Sequence, residues 1–281
     1  MIRGIRITLL LLACLGMLFF FYNYLSDQRD TKKQLLQVKE MDQLLIEAGK
    51  ALQSKQEEEF KAILPKIDAI LQQAKSPLIK IRYTPSLSEL YQLAGDKEKS
   101  LACLEGYDEL IQQGKNLIKD KNEEYHLYVH YFMVANRYVF LDKKDRAEKI
   151  LGELAAVSLE EYPDTTKARY FLNLAQGYAF LNQADKTENY IQQVLNIFDK
   201  VETDAQPFYL HEIAEIHFRL KNFDQATKDL DQLEKLIKEG THASGDNFIR
   251  NIELFRKRIH TEVTGEELPP KSAEDISLDN I

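Results

Sequence analysis

Tryptophan is absent from this chain of 281 residues, cysteine occurs twice, and glycine and proline are scarce, with 11 and 7 residues. So few glycines and prolines argue against an all-β protein, whose many short strands need frequent turns. Leucine, glutamate, lysine, glutamine and alanine are plentiful, and these residues favour long helices. We therefore predict an all-α protein. Its two cysteines are too few for a disulfide framework.

Positive charge is also in short supply. The chain carries 37 basic and 45 acidic side chains, and its net charge at pH 7 is −8. Because no basic stripe overrides this excess, the surface would repel the phosphates of a nucleic acid. Hydrophobic residues make up 44% of the chain, which is enough for a packed core. We expect a folded protein that does not bind nucleic acid.

The first 25 residues differ from all the others. Arg3 and Arg6 precede an uncharged, largely apolar run from Ile7 to Leu25. As a helix this run spans roughly 28 Å, close to the hydrocarbon thickness of a bilayer. Aromatic residues crowd its far end, where their rings would meet the headgroups. Residues 1–25 are therefore predicted to form a transmembrane signal anchor, with residues 7–25 in the membrane.

One alternative for this segment is lipidation. The sequence Leu-Leu-Ala-Cys ending at Cys14 resembles a bacterial lipobox, which would make the protein a lipoprotein modified at Cys14. Apolar residues continue after Cys14, however, whereas a mature lipoprotein usually begins with a polar tether.

The arginines before the run favour a cytoplasmic amino terminus, so we expect the repeats on the periplasmic side of a bacterial inner membrane. A eukaryotic organelle anchor with cytosolic repeats also fits.

Beyond the anchor, apolar residues recur every three or four positions, as in amphipathic helices, and no stretch alternates for long enough to be a strand. Short turns between the helices indicate antiparallel hairpins. The acidic residues 264–281 contain a Pro-Pro pair and are predicted to be disordered. The predicted helices are 28–54, 57–75, 78–94, 97–119, 121–141, 144–157, 164–181, 184–200, 207–220, 223–239 and 245–262.

A pattern of small and ring-bearing residues recurs four times in these hairpins. In one copy, Ala135 is followed by Tyr138, by Ala147 twelve positions on and by Leu151 sixteen on. Small residues let the two helices of a hairpin approach closely, and the ring fills the space beside them. Copies lie 47, 40 and 39 residues apart, as in repeats that stack. The other copies are Ser88, Tyr91, Ser100 and Leu104; Ala175, Tyr178, Thr187 and Ile191; and Ala214, His217, Ala226 and Leu230.

Residues 80–240 resemble tetratricopeptide repeats. The stretch IAEIHFRLKNFDQATKDL (213–230) is the closest copy, and LYQLAGDKEKSL (90–101) carries the Gly-Asp turn. The resemblance implies an α-solenoid of helical hairpins, with a degenerate repeat over 26–79 and a capping helix over 241–263. The repeats are five or six residues longer than the usual 34, and His217 replaces the usual ring. A different α-solenoid remains the alternative.

No pattern in the sequence predicts catalysis. His126 and His130 lie four residues apart on a predicted helix and could reach one metal ion. Glu123 is the only nearby carboxylate that would lie on the same side of that helix. We interpret the two histidines as a packed or solvated pair. A glycine-rich phosphate loop, a nucleophile elbow and a Cys–His pair are all missing. We therefore expect neither an enzyme nor a bound metal or cofactor.

The first helix of each hairpin has a second apolar side, opposite its hairpin partner. In tetratricopeptide arrays this side lines a groove, so the resemblance implies binding of another protein or peptide. The alternative is that neighbouring first helices pack on one another and bury these residues. The predicted groove residues are Phe132, Asn136, Phe140, Leu172, Asn173, Gln176, Phe180, His211, Glu215 and Phe218.

The groove does not match the type that captures acidic C-terminal tails. Phe132, Phe208 and Glu212 stand where that type needs lysine or arginine, so we do not expect carboxylate capture. The sequence thus predicts a membrane-anchored scaffold or chaperone-type adaptor. The alternative function is that of a lipoprotein in an envelope or pilus assembly complex.

The anchor prediction is tested by membrane extraction. Full-length protein should stay with membranes through an alkaline carbonate wash, whereas a chain beginning at Asp27 should stay in the supernatant, since it lacks the apolar run. Acyl labelling of wild type and of Cys14→Ser separates the anchor from the lipoprotein. Label that depends on Cys14 would contradict the anchor prediction, and so would sedimentation of the shortened chain with membranes.

Overall fold

The computed structural model describes residues 31–240 and 245–266 of the chain. The predicted anchor, residues 1–25, lies outside the described residues, as does most of the predicted disordered tail. The described residues form helices and no strand, which confirms the all-α prediction. None of the described helices is both long enough and apolar enough to cross a membrane.

Consecutive helices pack as antiparallel pairs, and the described residues form two compact units that divide between Leu154 and Ala155. The N-terminal unit contains α1 (Thr31–Gln53), α2 (Glu57–Gln73), α3 (Pro77–Leu93), α4 (Lys97–Cys103), α5 (Tyr107–Lys115), α6 (Lys121–Phe140) and α7 (Lys144–Ala155), whose last residue crosses the boundary. The C-terminal unit contains α8 (Asp164–Phe180), α9 (Ala184–Leu195), α10 (Gln206–Arg219), α11 (Phe223–Glu239) and α12 (Gly245–Thr264). Two 3-10 helices, Phe198–Lys200 and Thr203–Ala205, connect α9 to α10.

In the N-terminal unit, α1, α2 and α3 share one hydrophobic core that includes Met41, Phe60, Ile67 and Leu87. Their apolar faces follow the three- and four-residue spacing read from the sequence. The C-terminal unit has two clusters. One joins α8, α9 and α10, and the other joins α10, α11 and α12. Since α10 contributes to both clusters, it is the central helix of this unit.

The prediction of a single helix over residues 97–119 is wrong. The helix ends at Cys103, and α5 begins at Tyr107, because Gly106 adopts a left-handed conformation with φ 72°. Beyond this bend the Tyr107 ring is buried, and its hydroxyl donates to the Ile81 carbonyl at 2.7 Å. A buried ring with a satisfied hydroxyl fixes the direction of α5. The spacing of 47 residues between the first two copies is the longest, and α4, the bend and α5 contain its additional residues.

The packing interpretation of the four-copy pattern is confirmed. All sixteen of its positions are buried. In the first copy the two small residues are directly bonded, because Ser88 Oγ donates to the Ser100 carbonyl at 2.9 Å and Ser100 Oγ donates to the Ser88 carbonyl at 2.7 Å. Two buried hydroxyls that satisfy each other's backbone keep the helices close without an unpaired polar group.

The turns between the paired helices also share one hydrogen bond. In each copy the carbonyl of the ring position accepts the amide of the residue five positions later, as in a Schellman motif. For example, the Asp96 amide donates to the Tyr91 carbonyl at 2.9 Å, and the Lys143 amide donates to the Tyr138 carbonyl at 2.8 Å. The residue before each donor is left-handed. These residues are Gly95 (φ 85°), Asp142 (62°), Asn182 (59°) and Lys221 (60°). All four copies thus need a left-handed residue at this turn position, and only one of them has glycine there.

The left-handed turn predicts opposite effects of the same substitution at two sites. Gly95→Ala should lower the free energy of unfolding by about 1 kcal/mol, since a Cβ strains the left-handed backbone although no atom lies within 4 Å of it. Gly152→Ala is the control, because Gly152 lies inside α7 with the same open space. It should raise stability by roughly 0.5–1 kcal/mol. Urea unfolding measures both, and a loss at both sites would contradict the explanation.

Candidate interaction surface

The predicted groove residues lie on the first helices of three hairpins. Phe132, Asn136 and Phe140 are on α6 in the N-terminal unit, and the other seven are on α8 and α10 in the C-terminal unit. The two groups belong to different units, and each is described within its own unit.

In the N-terminal unit, the predicted groove side of α6 packs against α3. Phe132 is only 3% exposed, while Asn136 and Phe140 are half-buried. The Arg137 guanidinium lies 4.9 Å from the Phe140 ring centroid and pairs with Glu89 of α3 at 3.1 Å. The helix α3 is itself the first helix of a hairpin. Here neighbouring first helices pack on one another, which is the alternative to an open groove.

In the C-terminal unit, α8 and α10 lie side by side and parallel. The Tyr209 hydroxyl donates to the Thr165 carbonyl at 3.1 Å near one end, and Arg219 stacks on Phe180 at 4.0 Å near the other. Leu172, at 1% exposure, is buried among α8, α9 and α10. Around it, Asn173 and Phe180 are half-buried and Gln176 is exposed. On the predicted groove side of α8, only Asn173, Gln176 and Phe180 are therefore accessible to a partner.

The corresponding side of α10 carries α12. Phe255 of α12 contacts His211 and Phe218, with ring centroids 5.8 and 5.4 Å apart. Arg258 of α12 stacks on Phe218 at 4.1 Å and pairs with Glu215 at 3.6 Å. One stripe of α12 is buried against both α10 and α11, namely Phe248, Ile252, Phe255 and Ile259. Phe248 contacts Phe208 near the start of both helices and Arg258 contacts Phe218 further along both, so α12 lies parallel to α10, as the first helix of a further hairpin would.

These positions correct part of the predicted groove. Phe132 and Leu172 are core residues, because adjacent helices cover them completely. The other eight, Asn136, Phe140, Asn173, Gln176, Phe180, His211, Glu215 and Phe218, keep exposed or partly exposed side chains. That any of them binds a partner stays a prediction.

Three arginines missed in the sequence give this surface its chemistry. Arg169 stacks on Tyr209, Arg219 on Phe180 and Arg258 on Phe218, with guanidinium-to-centroid distances of 5.6, 4.0 and 4.1 Å. Arg169 also pairs with Glu212. We call these six residues the arginine–aromatic face. A signal for it was present, because Arg219 and Arg258 follow their rings by one repeat length, 39 and 40 residues.

The candidate metal pair of α6 is packed inside the N-terminal unit. His130 is buried, and burial, reinforced by the charges of Arg82 and His126, lowers its pKa to about 3. Burial also lowers the pKa of His126, against the charge of Asp120. Both imidazoles are therefore neutral at pH 7. Among the residues that the structure describes, no three His, Cys, Asp or Glu side chains are grouped as metal ligands.

A buried polar cluster in the same unit was not foreseen. Arg82 of α3 donates to Asp42 Oδ1 of α1 at 3.4 Å, and the Tyr83 hydroxyl donates to the same oxygen at 2.7 Å. Burial raises the pKa of Asp42 and outweighs the opposing effects of Arg82 and Tyr83. The cluster ties α1 to α3, and its residues are too deeply buried to contact a partner.

The cysteine of the repeats is poorly suited to nucleophilic chemistry. Burial, with a smaller contribution from Asp68, raises the pKa of the Cys103 thiol to about 12. A thiol in this environment stays protonated near neutral pH, and the thiolate is the reactive form. Cys103 is therefore a packing residue of α4.

Comparisons of the chain with protein-family models, with curated proteins and with solved structures found no match. The class that the fold defines is accordingly a broad one. It is an all-α protein of sequential antiparallel helix pairs with a repeat-like packing pattern.

The burial of Phe132 and the partial exposure of Phe180 predict that replacing each by alanine lowers the free energy of unfolding by different amounts. Phe132→Ala should lower the free energy of unfolding by about 3 kcal/mol, because it leaves a cavity in the core. Phe180→Ala should cost about 1 kcal/mol, since a half-buried ring under Arg219 fills little packed volume. Tyr178→Ala, two residues from Phe180 and fully packed, serves as the core reference at about 3 kcal/mol. Urea unfolding followed by circular dichroism measures all three. A Phe180 cost equal to that of Tyr178 would remove Phe180 from the accessible surface.

Proposed function

We propose that this protein is a membrane-anchored, tetratricopeptide-like scaffold or adaptor that binds another protein or peptide. The observation that carries the proposal is the arginine–aromatic face of the C-terminal unit. Phe180 and Phe218 are half-buried in this face and Tyr209 is buried, and each ring lies under an arginine whose side chain is at least partly exposed. Arginine and aromatic side chains provide much of the binding energy in protein interfaces.

The charges of this face favour a partner with both signs of charge. Glu212 and Glu215 lie among the arginines and pair with Arg169 and Arg258. The side chains of these four residues are about two-fifths exposed, so a partner can contact both signs. A uniformly acidic tail would meet the two glutamates as like charges. This argues for a mixed polar and apolar segment and agrees with the expectation that carboxylate capture does not occur here.

The tetratricopeptide-like assignment is supported by packing. Small residues twelve positions apart are buried in all four copies, and every copy places a ring or His217 beside them.

The proposed membrane anchor is supported by the apolar run over residues 7–25 and by the arginines that precede it. On the same grounds we propose that the helical units lie outside the cytoplasm. Modification of Cys14 in an envelope or pilus assembly complex is the alternative, supported by the Leu-Leu-Ala-Cys sequence.

Cross-linking in membranes followed by mass spectrometry tests the binding role. Full-length wild type is compared with the double variant Phe180→Ala with Arg219→Ala, which removes one stack of the face. The variant should recover specific partners at least tenfold less, as expected when a hot spot worth about 1.4 kcal/mol or more is lost.

The matched control for this experiment is Lys235→Ala. Lys235 is highly exposed on α11, the second helix of its hairpin, and pairs with Glu239 of the same helix. It should recover partners as wild type does. Equal recovery by wild type and by the double variant, with both folded by circular dichroism, would contradict the proposal that this face binds the partner.

A further inference from the structure

A buried histidine joins three helices of the C-terminal unit. His217 of α10 is 2% exposed. Its Nδ1 lies 2.5 Å from Asp229 Oδ2 of α11, and its Nε2 lies 3.1 Å from Glu188 Oε2 of α9. Glutamine amides hold the second oxygens of both carboxylates, because Gln225 donates to Asp229 and Gln192 donates to Glu188. Each carboxylate is thus oriented toward the ring.

This geometry favours a charged ring. A neutral imidazole has one N–H and one lone pair, so it can donate to only one of the two carboxylates. Its other nitrogen would direct a lone pair at an oxygen of the second carboxylate. The imidazolium has two N–H groups and donates to both. Two carboxylates around one histidine therefore favour the protonated form.

The charged groups of the adjacent helices do not disturb this arrangement. On the α8 and α12 sides of α10, Arg169 pairs with Glu212 and Arg258 pairs with Glu215. At about 100° per residue, these two glutamates lie roughly 140° and 160° around α10 from His217. The groups that set the charge of His217 are therefore Asp229 and Glu188.

The pKa shifts agree with the geometry. Burial alone lowers the pKa of His217, but the hydrogen bonds and charges of Asp229 and Glu188 outweigh it, and the pKa is raised from 6.5. Burial likewise raises the pKa of Glu188, yet the hydrogen bonds from Gln192 and His217 prevail and lower it. Each group is thus stabilised in its charged form by the other.

We propose that His217 is a pH-sensitive joint between the hairpins α8–α9 and α10–α11. Protonated, it links both hairpins. When it loses a proton, the ring keeps its bond to Asp229, whose side chain is 7% exposed, and releases Glu188, whose side chain is 51% exposed and is readily solvated. The link within the hairpin α10–α11 persists, and the link between hairpins is lost. This proposal does not depend on the proposed partner binding.

The sign of the stability effect follows from the raised pKa. A proton that binds the folded chain more tightly than the unfolded chain stabilises the fold. Its contribution is fully present below pH 6.5 and is lost as the pH rises through the higher folded pKa. Within that interval the unfolding equilibrium constant should rise by up to tenfold per pH unit from this group.

The test uses full-length protein in detergent, with urea unfolding between pH 5.5 and 9 and NMR titration of the histidine Cε1–H signals. In wild type the His217 signal should titrate above pH 6.5, and stability should fall across the same interval. His217→Gln is neutral at every pH and should lose this component of the slope. His260→Gln is the control, since His260 lies exposed on α12, and it should keep the wild-type slope.

The variant Glu188→Gln tests whether the titration of His217 depends on its bond to Glu188 in the neighbouring hairpin. It removes the charge of a half-exposed side chain, keeps an amide oxygen for the ring and leaves the core intact, so it remains informative even when His217→Gln does not fold. We expect a lower His217 pKa and a smaller slope, with the protection factors of the α9 amides, corrected for the intrinsic exchange rate, less dependent on pH. A His217 pKa at or below 6.5, or the wild-type slope in Glu188→Gln, would overturn the proposal.

Discussion

The packing of this protein depends on how closely the two helices of each hairpin approach at their paired small residues. Ala214 and Ala226 of one hairpin, or the mutually bonded Ser88 and Ser100 of another, bring the helices together without a cavity. The ring position lies one turn further along the first helix and packs beside this contact. The carbonyl of the same residue then accepts the turn bond. Packing and chain reversal are therefore set at neighbouring positions in every copy.

Helices and their pairing were predictable because both depend on local spacing. The apolar period locates the helix faces, and the recurring offset of twelve residues identifies which small residues meet across a hairpin. The bend at Gly106 was not predictable, since the apolar spacing continues through it and only the burial of Tyr107 shows why the chain turns. Similarly, nothing in an isolated lysine indicates that Lys221 occupies the left-handed turn position.

The interaction surface was harder to predict, because a sequence shows that a helix side is apolar but not what covers it. Phe132 and Phe140 both lie on the predicted groove side of α6, yet Phe132 is a core residue and Phe140 is half-buried beside Arg137. Likewise, the apolar stripe of α12 is typical of an amphipathic helix, and only the structure shows that it packs on α10 and α11. Whether one first helix covers another depends on contacts some 40 residues apart in the chain, which a local period does not encode.

The turn bond at the ring position has a consequence for how such a chain can change. Because the Asn222 amide bonds to the backbone carbonyl of His217, the turn makes no demand on the side chain there. Tyrosine in the other copies and histidine in this one are held by the same backbone geometry. Each repeat thus offers one buried position where an ionisable group can replace an aromatic ring while the path of the chain is kept. Chemistry can be introduced into the interior of such an array one hairpin at a time, without redesigning the fold.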